Sequence, residues 1–386
     1  MLIKHKILSD NFYRGKDFIQ NHMQIRLLIM FIVFLFFIKS FSQEREYYIE
    51  LKYHNGNLLK HSPKINPLVK GKVSIYELNV TFPTNGKKEW AQLYNYPDIG
   101  FGYNITLFNN PEMLGNAHSL NMYIRLPIIK TQYFNIYYHF AMAPSYFKKV
   151  YDSITNPLNL SISSHINMYL HAGLEAKISY SKWFSVTLGY GMNHYSFGNL
   201  KQPNVGLNVS AAYGSMNIAF LRNETKIYKN EFSKFKNLHE LWIWYAAGWK
   251  ETDLDIGRLY FISTLSVNYA IVIGRKHKIG CGAEYFYDKS LEKVLIAENV
   301  SNIRTADLFR PGINISHEQV FGKLAFITQL GRYIYSRSQR FGWIYYRAGF
   351  RYNVTKNFFG ILTIKAHIPA IADFVEWGVG FNLISK

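Results

Sequence analysis

The chain has 386 residues and carries 44 Lys and Arg against 25 Asp and Glu, which gives a formal net charge of +19. Its one long apolar run, residues 27–38, is too short for a transmembrane helix, so a helical membrane protein is excluded. The positive residues are scattered rather than grouped in blocks, which favours anionic lipid over nucleic acid as a partner. The lone Cys281 excludes an intrachain disulfide, and the sequence shows no metal-ligand cluster and predicts no cofactor.

Residues 1–42 are interpreted as an upstream extension followed by a signal peptide, with Met23 as the start. Arg26 supplies the positive flank, residues 27–38 supply the apolar region, and Ser40 and Ser42 supply small residues before the cleavage point at Gln43. The sequence therefore predicts export, and residues 43–386 are expected to form a single domain.

The exported part reads as a succession of ring-rich or β-branched segments with alternating polarity. Most are about 10 to 14 residues long, which is typical of tilted strands that cross a bilayer. They predict an all-β fold, a transmembrane antiparallel β-barrel of the outer membrane with about 14 strands (range 12 to 16). The predicted strands are 47–53, 73–82, 99–108, 119–129, 133–143, 166–180, 183–196, 206–220, 238–249, 259–274, 278–287, 308–316, 323–335, 343–352, 358–367 and 375–383.

The connections alternate in length, as in outer-membrane barrels. Tight turns fall at 130–131 and 181–182, whereas long polar connections fall at 109–118, 144–165 and 288–307. Counting from the turn at 181–182 predicts that residues 197–204 lie at the loop-rich end. The charged segment 223–237 breaks the alternation, either as a periplasmic excursion or because the count is off by one strand there.

A histidine and a serine end one of the most regular of these strands. Phe184, Leu188 and Met192 share one parity, and His194 and Ser196 continue it. The two polar residues are about 7 Å apart along the strand and can form a hydrogen bond, as a nucleophile and its base do. On a membrane barrel this face would point at lipid.

The segment that follows resembles the lipid A 3-O-deacylase (PagL) family, whose motif runs His-x-Ser, then Lys-Gln-Pro-Asn, then Gly-Leu and an acidic residue. Flanking stretches and the second half of the chain resemble the longer relatives known as acyloxyacyl hydrolases. The residues in register with the motif are His194, Ser196, Lys201, Gln202, Pro203, Asn204, Gly206 and Leu207.

This resemblance implies a serine esterase that acts on an acyl chain of lipid A, the lipid part of lipopolysaccharide, from within the outer membrane. Ser196 would attack the ester carbonyl, and His194 would carry the proton between the hydroxyl and the leaving oxygen. Asn204 would donate to the oxyanion. Lys201 is expected to hold the lipid A phosphates, and Phe197, where many members carry Asn, is assigned to substrate binding.

The chain departs from the family at the acid that orients the histidine, where it carries Asn208. An asparagine can fix a histidine tautomer but does not stabilise the imidazolium by charge. Glu175 or Glu318 remains open as a substitute acid. The parity of the strand after Gly206 is ambiguous, because Leu207, Val209 and Tyr213 look lipid-facing and Asn208 has the opposite parity.

The missing acid also keeps open a second function. A barrel that has lost the catalytic acid would serve as a narrow porin or as a surface-binding protein without catalysis. A barrel of about 14 strands is wide enough to enclose water, whereas one of eight strands is filled by side chains.

Overall fold

The computed structural model describes residues 46–220, 226–229, 231–232, 238–368 and 371–385. The predicted extension and signal peptide lie outside these residues, as does most of segment 223–237. None of the helices in the described part is both long and apolar enough to cross a membrane. By their contacts, residues 48–219 and 226–386 cluster as one compact unit.

The described residues form sixteen strands, and each predicted segment overlaps one of them. Two short helices, α1 (Glu89–Leu93) and α2 (Leu291–Ala297), and two 3-10 turns, Pro63–Leu68 and Thr305–Leu308, lie in the connections. The strands are β1 (Tyr47–Leu58), β2 (Lys72–Pro83), β3 (Asp98–Leu107), β4 (Asn116–Lys130), β5 (Phe134–Phe147), β6 (Ile166–Ser179), β7 (Phe184–Ser196), β8 (Leu207–Phe220), β9 (His239–Thr252), β10 (Asp255–Ile273), β11 (His277–Asp288), β12 (Phe309–Phe321), β13 (Leu324–Tyr333), β14 (Ile344–Asn353), β15 (Phe358–His367) and β16 (Ile371–Ser385).

These strands close into two antiparallel barrels, an N-terminal barrel of β1–β8 and a C-terminal barrel of β9–β16. The prediction of one barrel with about 14 strands is therefore wrong. Alternation along a strand reports which face is apolar, but it does not report which two edges meet to close a sheet. Here β9 pairs with both β10 and β16, and segment 223–237 belongs to the connection between the two barrels.

Apolar and polar side chains alternate along the strands, with the apolar set facing outward. On β7, Leu188 and Tyr190 are each 60% exposed, whereas the intervening parity buries Thr187 and Asn193 inside the barrel. The same alternation leaves Trp377 exposed on β16. Apolar outer walls around polar interiors are the pattern of barrels that sit in a bilayer.

Both interiors are filled by side chains, with buried ion pairs beside clusters of apolar and aromatic residues. In the N-terminal barrel, Arg125 pairs with Glu50 at 2.5 Å and with Glu175 at 2.7 Å. In the C-terminal barrel, Arg347 pairs with Glu284 at 2.5 Å and also with Glu376. A barrel of eight strands is just wide enough for side chains to fill it, so these packed lumens differ from the water-filled interior of a larger barrel.

Most of the long connections lie at one end of each barrel. In the N-terminal barrel these are 59–71, 108–115, 148–165 and 197–206, and in the C-terminal barrel they are 289–308 and 334–343. The exception in the N-terminal barrel is 84–97, which carries α1 at the other end. Residues 197–204 therefore lie at the loop-rich end, as the turn count predicted.

Candidate active site

His194 and Ser196 lie on the outward face of β7, at its loop-rich end. Asn193 and Tyr195, which alternate with them, are fully buried inside the barrel. Both outward residues are half-buried rather than bare, unlike Leu188 and Tyr190 nearer the other end of the strand. The predicted pair therefore lies on the outer wall of the barrel, where neighbouring residues partly cover both side chains.

Asn208 lies directly opposite His194 in the register of β7 and β8. The Oδ1 atom of Asn208 is 2.6 Å from Nδ1 of His194, so an Nδ1–H of the ring donates to the amide oxygen. That tautomer leaves Nε2 with a lone pair, which is the state that a general base requires.

The lipid-facing interpretation of Leu207, Val209 and Tyr213 is wrong. All three are buried, and the ring of Tyr213 lies 4.5 Å from the ring of His54 inside the barrel, centroid to centroid, in a tilted arrangement. The register that pairs His194 with Asn208 assigns Asn208 to the outward face, where its neighbours on β7 lie.

Ser196 is held by two donors from the segment that follows it. Its Oγ accepts a hydrogen bond from the Gly198 N–H at 3.2 Å and another from Nδ2 of Asn204 at 3.0 Å. The same Nδ2 donates to the carbonyl oxygen of Gly198. The described residues include no hydrogen bond between His194 and Ser196. Hydrogen bonds of this kind are often long in unliganded enzymes and tighten when substrate binds.

Gly206 lies close to the His194 ring in a backbone conformation that favours glycine. Its φ is +75°, and a Cβ there would lie 3.2 Å from Cε1 of His194 and 3.2 Å from the carbonyl oxygen of Tyr195. A residue with a side chain at this position would crowd the His194 ring and would strain the backbone. The glycine of the motif therefore has a local structural reason.

His61 also belongs to this group, although no sequence pattern predicts it. Its Nδ1 lies 3.2 Å from Nδ2 of Asn208, and its Nε2 lies 3.3 Å from the carbonyl oxygen of Val205. The contact exists because the eight-stranded barrel closes β1 against β8, where the Leu59 N–H donates to the carbonyl oxygen of Asn208 at 2.8 Å. The prediction of one larger barrel did not place residues 61 and 208 close to each other.

The segment after Ser196 is also attached to the C-terminal barrel. Nδ2 of Asn199 donates to the carbonyl oxygen of Ala372 at 2.5 Å, and the Glu251 N–H donates to the carbonyl oxygen of Asn199 at 2.8 Å. The Gln202 N–H donates to Oε2 of Glu251 at 2.8 Å. Glu251 is a second residue that sequence reasoning missed, since only the fold brings it to residues 199–202.

The two predicted substrate-binding residues lie in the same segment. Lys201 is exposed, and its carbonyl oxygen accepts a hydrogen bond from Oγ of Ser163 at 2.9 Å. Phe197 is half-buried next to Ser196. The roles assigned to them stay predictions, as do those of Ser196, His194, Asn204 and Asn208.

Glu175 and Glu318 do not replace the missing acid. Glu175 is buried inside the N-terminal barrel, where it pairs with Lys52 at 2.6 Å and with Arg125. Glu318 is buried inside the C-terminal barrel and pairs with Arg351 at 3.0 Å. Both side chains therefore face a lumen, whereas His194 faces outward. No group of three or more potential metal ligands occurs among the described residues.

Two family models match the chain. Residues 74–217, in the N-terminal barrel, match the model described as Lipid A 3-O-deacylase (PagL), and residues 239–386, in the C-terminal barrel, match Acyloxyacyl hydrolase, C-terminal domain. No curated protein matches the chain.

Solved structures similar to this chain include Neisserial surface protein A (NspA), at 10% identity over 45% of this chain and 97% of that one, with a TM-score of 0.31. The outer membrane enzyme PagL shows 17% identity over 43% and 97%, with a TM-score of 0.29. The Acinetobacter baumannii outer membrane protein Omp33 shows 10% identity over 88% and 100%, with a TM-score of 0.19. At TM-scores this low, no conclusion rests on these likenesses. The two family models, which between them match segments in both barrels, identify the chain as a member of the PagL-like lipid A deacylase and acyloxyacyl hydrolase family of outer-membrane proteins.

Proposed function

We propose that this protein is an outer-membrane serine esterase that removes an ester-linked acyl chain from lipid A. One observation carries the proposal: an outward-facing histidine has its Nδ1 2.6 Å from Oδ1 of Asn208, beside a serine whose Oγ lies 3.0 Å from Nδ2 of Asn204. A site on the outer wall of a barrel is open to a substrate that is itself a membrane lipid.

The reaction proceeds in two steps. Oγ of Ser196 attacks the carbonyl carbon while Nε2 of His194 takes the hydroxyl proton, and the carbonyl oxygen becomes an oxyanion. The carbon–oxygen bond to the sugar then breaks, and His194 returns the proton to the leaving oxygen. Water hydrolyses the acyl-serine by the same route, which releases the fatty acid and restores Ser196.

Two donors beside Ser196 support the oxyanion. Nδ2 of Asn204 and the Gly198 N–H both point at Oγ, so they are close to the position where the carbonyl oxygen becomes charged. A single donor of this type contributes roughly 3 to 4 kcal/mol to the transition state. Lys201, which is exposed on the same segment, is assigned to the lipid A phosphates.

The alternative is a barrel without catalysis, and Asn208 is the observation that favours it. The porin version of that alternative conflicts with the interiors, since Arg125 and Arg347 and their partners fill them. A surface-binding protein remains the second candidate.

The test is mass spectrometry of lipid A after incubation with the purified protein in detergent, beside Ser196→Ala and His194→Ala. We expect loss of one acyl mass with the wild type and with neither variant. Unchanged lipid A in all three, with folding shown by resistance to unfolding in cold detergent, would overturn the esterase and leave the surface-binding protein.

A further inference from the structure

The outer wall of the C-terminal barrel has an apolar groove of about 570 Å³ on strands β9 and β14–β16. Its depth comes from two small outward residues, Ala247 and Gly360, which stand among larger ones. At Gly360 a Cβ would meet no atom within 4 Å, so the space above it is open. The walls of the groove are formed by Tyr245, Phe350, Leu362, Trp377 and Val379.

A row of outward-facing residues connects the groove to the candidate active site. A Cβ built on Gly198, two residues after Ser196, would lie 3.4 Å from Cγ2 of Val375 and 3.7 Å from Cδ1 of Ile364. Val375 and Ile364 face each other across β15 and β16, and the next two pairs on that face lie in the groove. Those pairs are Leu362 with Trp377 and Gly360 with Val379.

The three pairs form an apolar stripe along β15 and β16: Ile364 with Val375, Leu362 with Trp377 and Gly360 with Val379. The direction of this stripe suits a lipid substrate. From Ile364 to Gly360 is four residues, or about 13 Å at the rise of an antiparallel strand. The stripe runs away from the loop-rich end and into the apolar band of the barrel wall. The outer faces of β16 and β7 do not cover each other completely. Trp377 on β16 is 60% exposed, and Met192 on β7, two residues before His194, is 40% exposed.

We propose that this groove binds the acyl chain whose ester Ser196 attacks, so that the N-terminal barrel supplies the reacting groups and the C-terminal barrel supplies the acyl-chain site. The inference rests on the proposed esterase function. The groove is lined by apolar and aromatic residues without a charged side chain, which suits a hydrocarbon chain and no headgroup.

The groove is expected to position the acyl chain relative to Ser196. An acyl chain gains little from leaving lipid for an apolar protein surface, because both surroundings are apolar. A chain that follows the stripe from Gly360 toward Ile364 brings its carbonyl end to Gly198 and Ser196. Holding reacting atoms in place is worth orders of magnitude in rate, and a misplacement of about 1 Å can cost about 10²-fold.

The same barrel provides a control position. A second groove, of about 690 Å³, is lined mainly by apolar residues together with Arg332, and it includes Ala283 on β11. In the strand order of the barrel, β11 lies four strands from β15, on the opposite wall. A bulky side chain at Ala283 fills a groove of similar size far from Ser196.

The test is to fill the groove with Gly360→Trp and to compare p-nitrophenyl butyrate with p-nitrophenyl myristate in detergent micelles. A Cβ at Gly360 meets no atom within 4 Å, so the backbone there accepts a side chain, and Gly360→Leu is a milder second variant. We expect kcat/KM for the myristate to fall about tenfold or more in Gly360→Trp. We expect the butyrate to change less than about twofold, since it does not reach Gly360. Ala283→Trp should leave both values unchanged.

Two other outcomes are distinguishable. If Gly360→Trp and Gly360→Leu hydrolyse the myristate as fast as the wild type, or lose both substrates equally, the acyl-chain site is wrong while the esterase stands. If the wild type hydrolyses neither ester faster than Ser196→Ala does, the esterase itself is wrong and this proposal falls with it.

Discussion

The amide nitrogen of Asn208 lies 3.2 Å from Nδ1 of His61, while the amide oxygen lies 2.6 Å from Nδ1 of His194. Unlike a carboxylate, an amide has one donor end and one acceptor end, and the surrounding hydrogen bonds select its orientation. Nδ1 of His61 also lies 3.2 Å from the carbonyl oxygen of Leu59, so the tautomer of His61 decides its partner. The tautomer that donates from Nε2 to the carbonyl oxygen of Val205 leaves Nδ1 to accept from Asn208, and this tautomer orients Oδ1 of Asn208 toward His194.

His61 is therefore expected to act as a positioning residue through Asn208. We predict that His61→Ala lowers kcat about tenfold, the size of one hydrogen bond, with little change in KM. His61→Gln, which can still accept from Nδ2 of Asn208, should retain most of the activity. The measurement is steady-state hydrolysis of a micellar ester.

The control for this prediction is the same substitution in an Asn208→Asp background. A carboxylate presents an acceptor at both oxygens and needs no orientation, so His61→Ala should cost little there. An equal loss in both backgrounds would mean that His61 acts on the folding of its loop and not through the amide.

Asn208→Asp is itself a prediction. Aspartate has nearly the shape of asparagine, so the 2.6 Å contact with His194 should persist while the partner gains a negative charge. Because that charge stabilises the imidazolium formed in the reaction, we expect kcat to rise at least about tenfold. Comparison of Asn208→Asp and Asn208→Ala with the wild type checks this, and a rate for Asn208→Asp below that of the wild type would contradict it.

Asn204 is predicted to act on the transition state. Asn204→Ala removes the donor 3.0 Å from Oγ of Ser196, so kcat should fall about 10² to 10³-fold with KM nearly unchanged. The kcat and KM values of the variant, measured on the same ester, test this directly. A rise in KM with kcat intact would instead assign Asn204 to substrate binding.

The sequence was sufficient for the strands and for the motif, but not for the closure of the sheet. Alternating apolar residues located all sixteen strands because each strand separates a lipid face from a polar lumen. The pairing of β8 with β1 closes the first eight strands into a barrel of their own. It joins two strands that are far apart in the sequence, so no local pattern predicts it. His61 and Glu251 reach the site only through that closure and through the contact between barrels, so no local pattern marks them.

Glu251 is predicted to hold the segment that follows Ser196. Its Oε2 accepts from the Gln202 N–H at 2.8 Å, and Gln202 in turn donates through Nε2 to Asn199 at 2.8 Å. We expect Glu251→Ala to lower activity severalfold, since a charge-assisted hydrogen bond contributes about 1.5 to 3 kcal/mol before the segment relaxes. Glu251→Gln keeps an acceptor oxygen and serves as the control. Equal activity of Glu251→Ala and the wild type would show that the segment keeps its place without the Glu251 carboxylate, through its contacts with the backbone of Glu251 and Ala372.

The last prediction concerns the stability of the C-terminal barrel. The guanidinium of Arg347 is fully buried between Glu284, at 2.5 Å, and Glu376. Arg347→Met removes the positive charge and leaves two buried carboxylates without it, which should lower the free energy of unfolding by about 3 to 5 kcal/mol. Urea unfolding of the protein in detergent measures the loss.

Arg340→Met is the matched control, because Arg340 pairs with Asp253 at 2.7 Å at the exposed end of the same barrel. An exposed pair contributes about 0 to 1 kcal/mol, so this variant should unfold close to the wild type. Adding Glu376→Gln to Arg347→Met removes one of the two unpaired buried carboxylates and should restore part of the lost free energy of unfolding. If Arg347→Met unfolds like Arg340→Met, the carboxylates have found protons or water, and the ion pairs inside the barrel do not stabilise it.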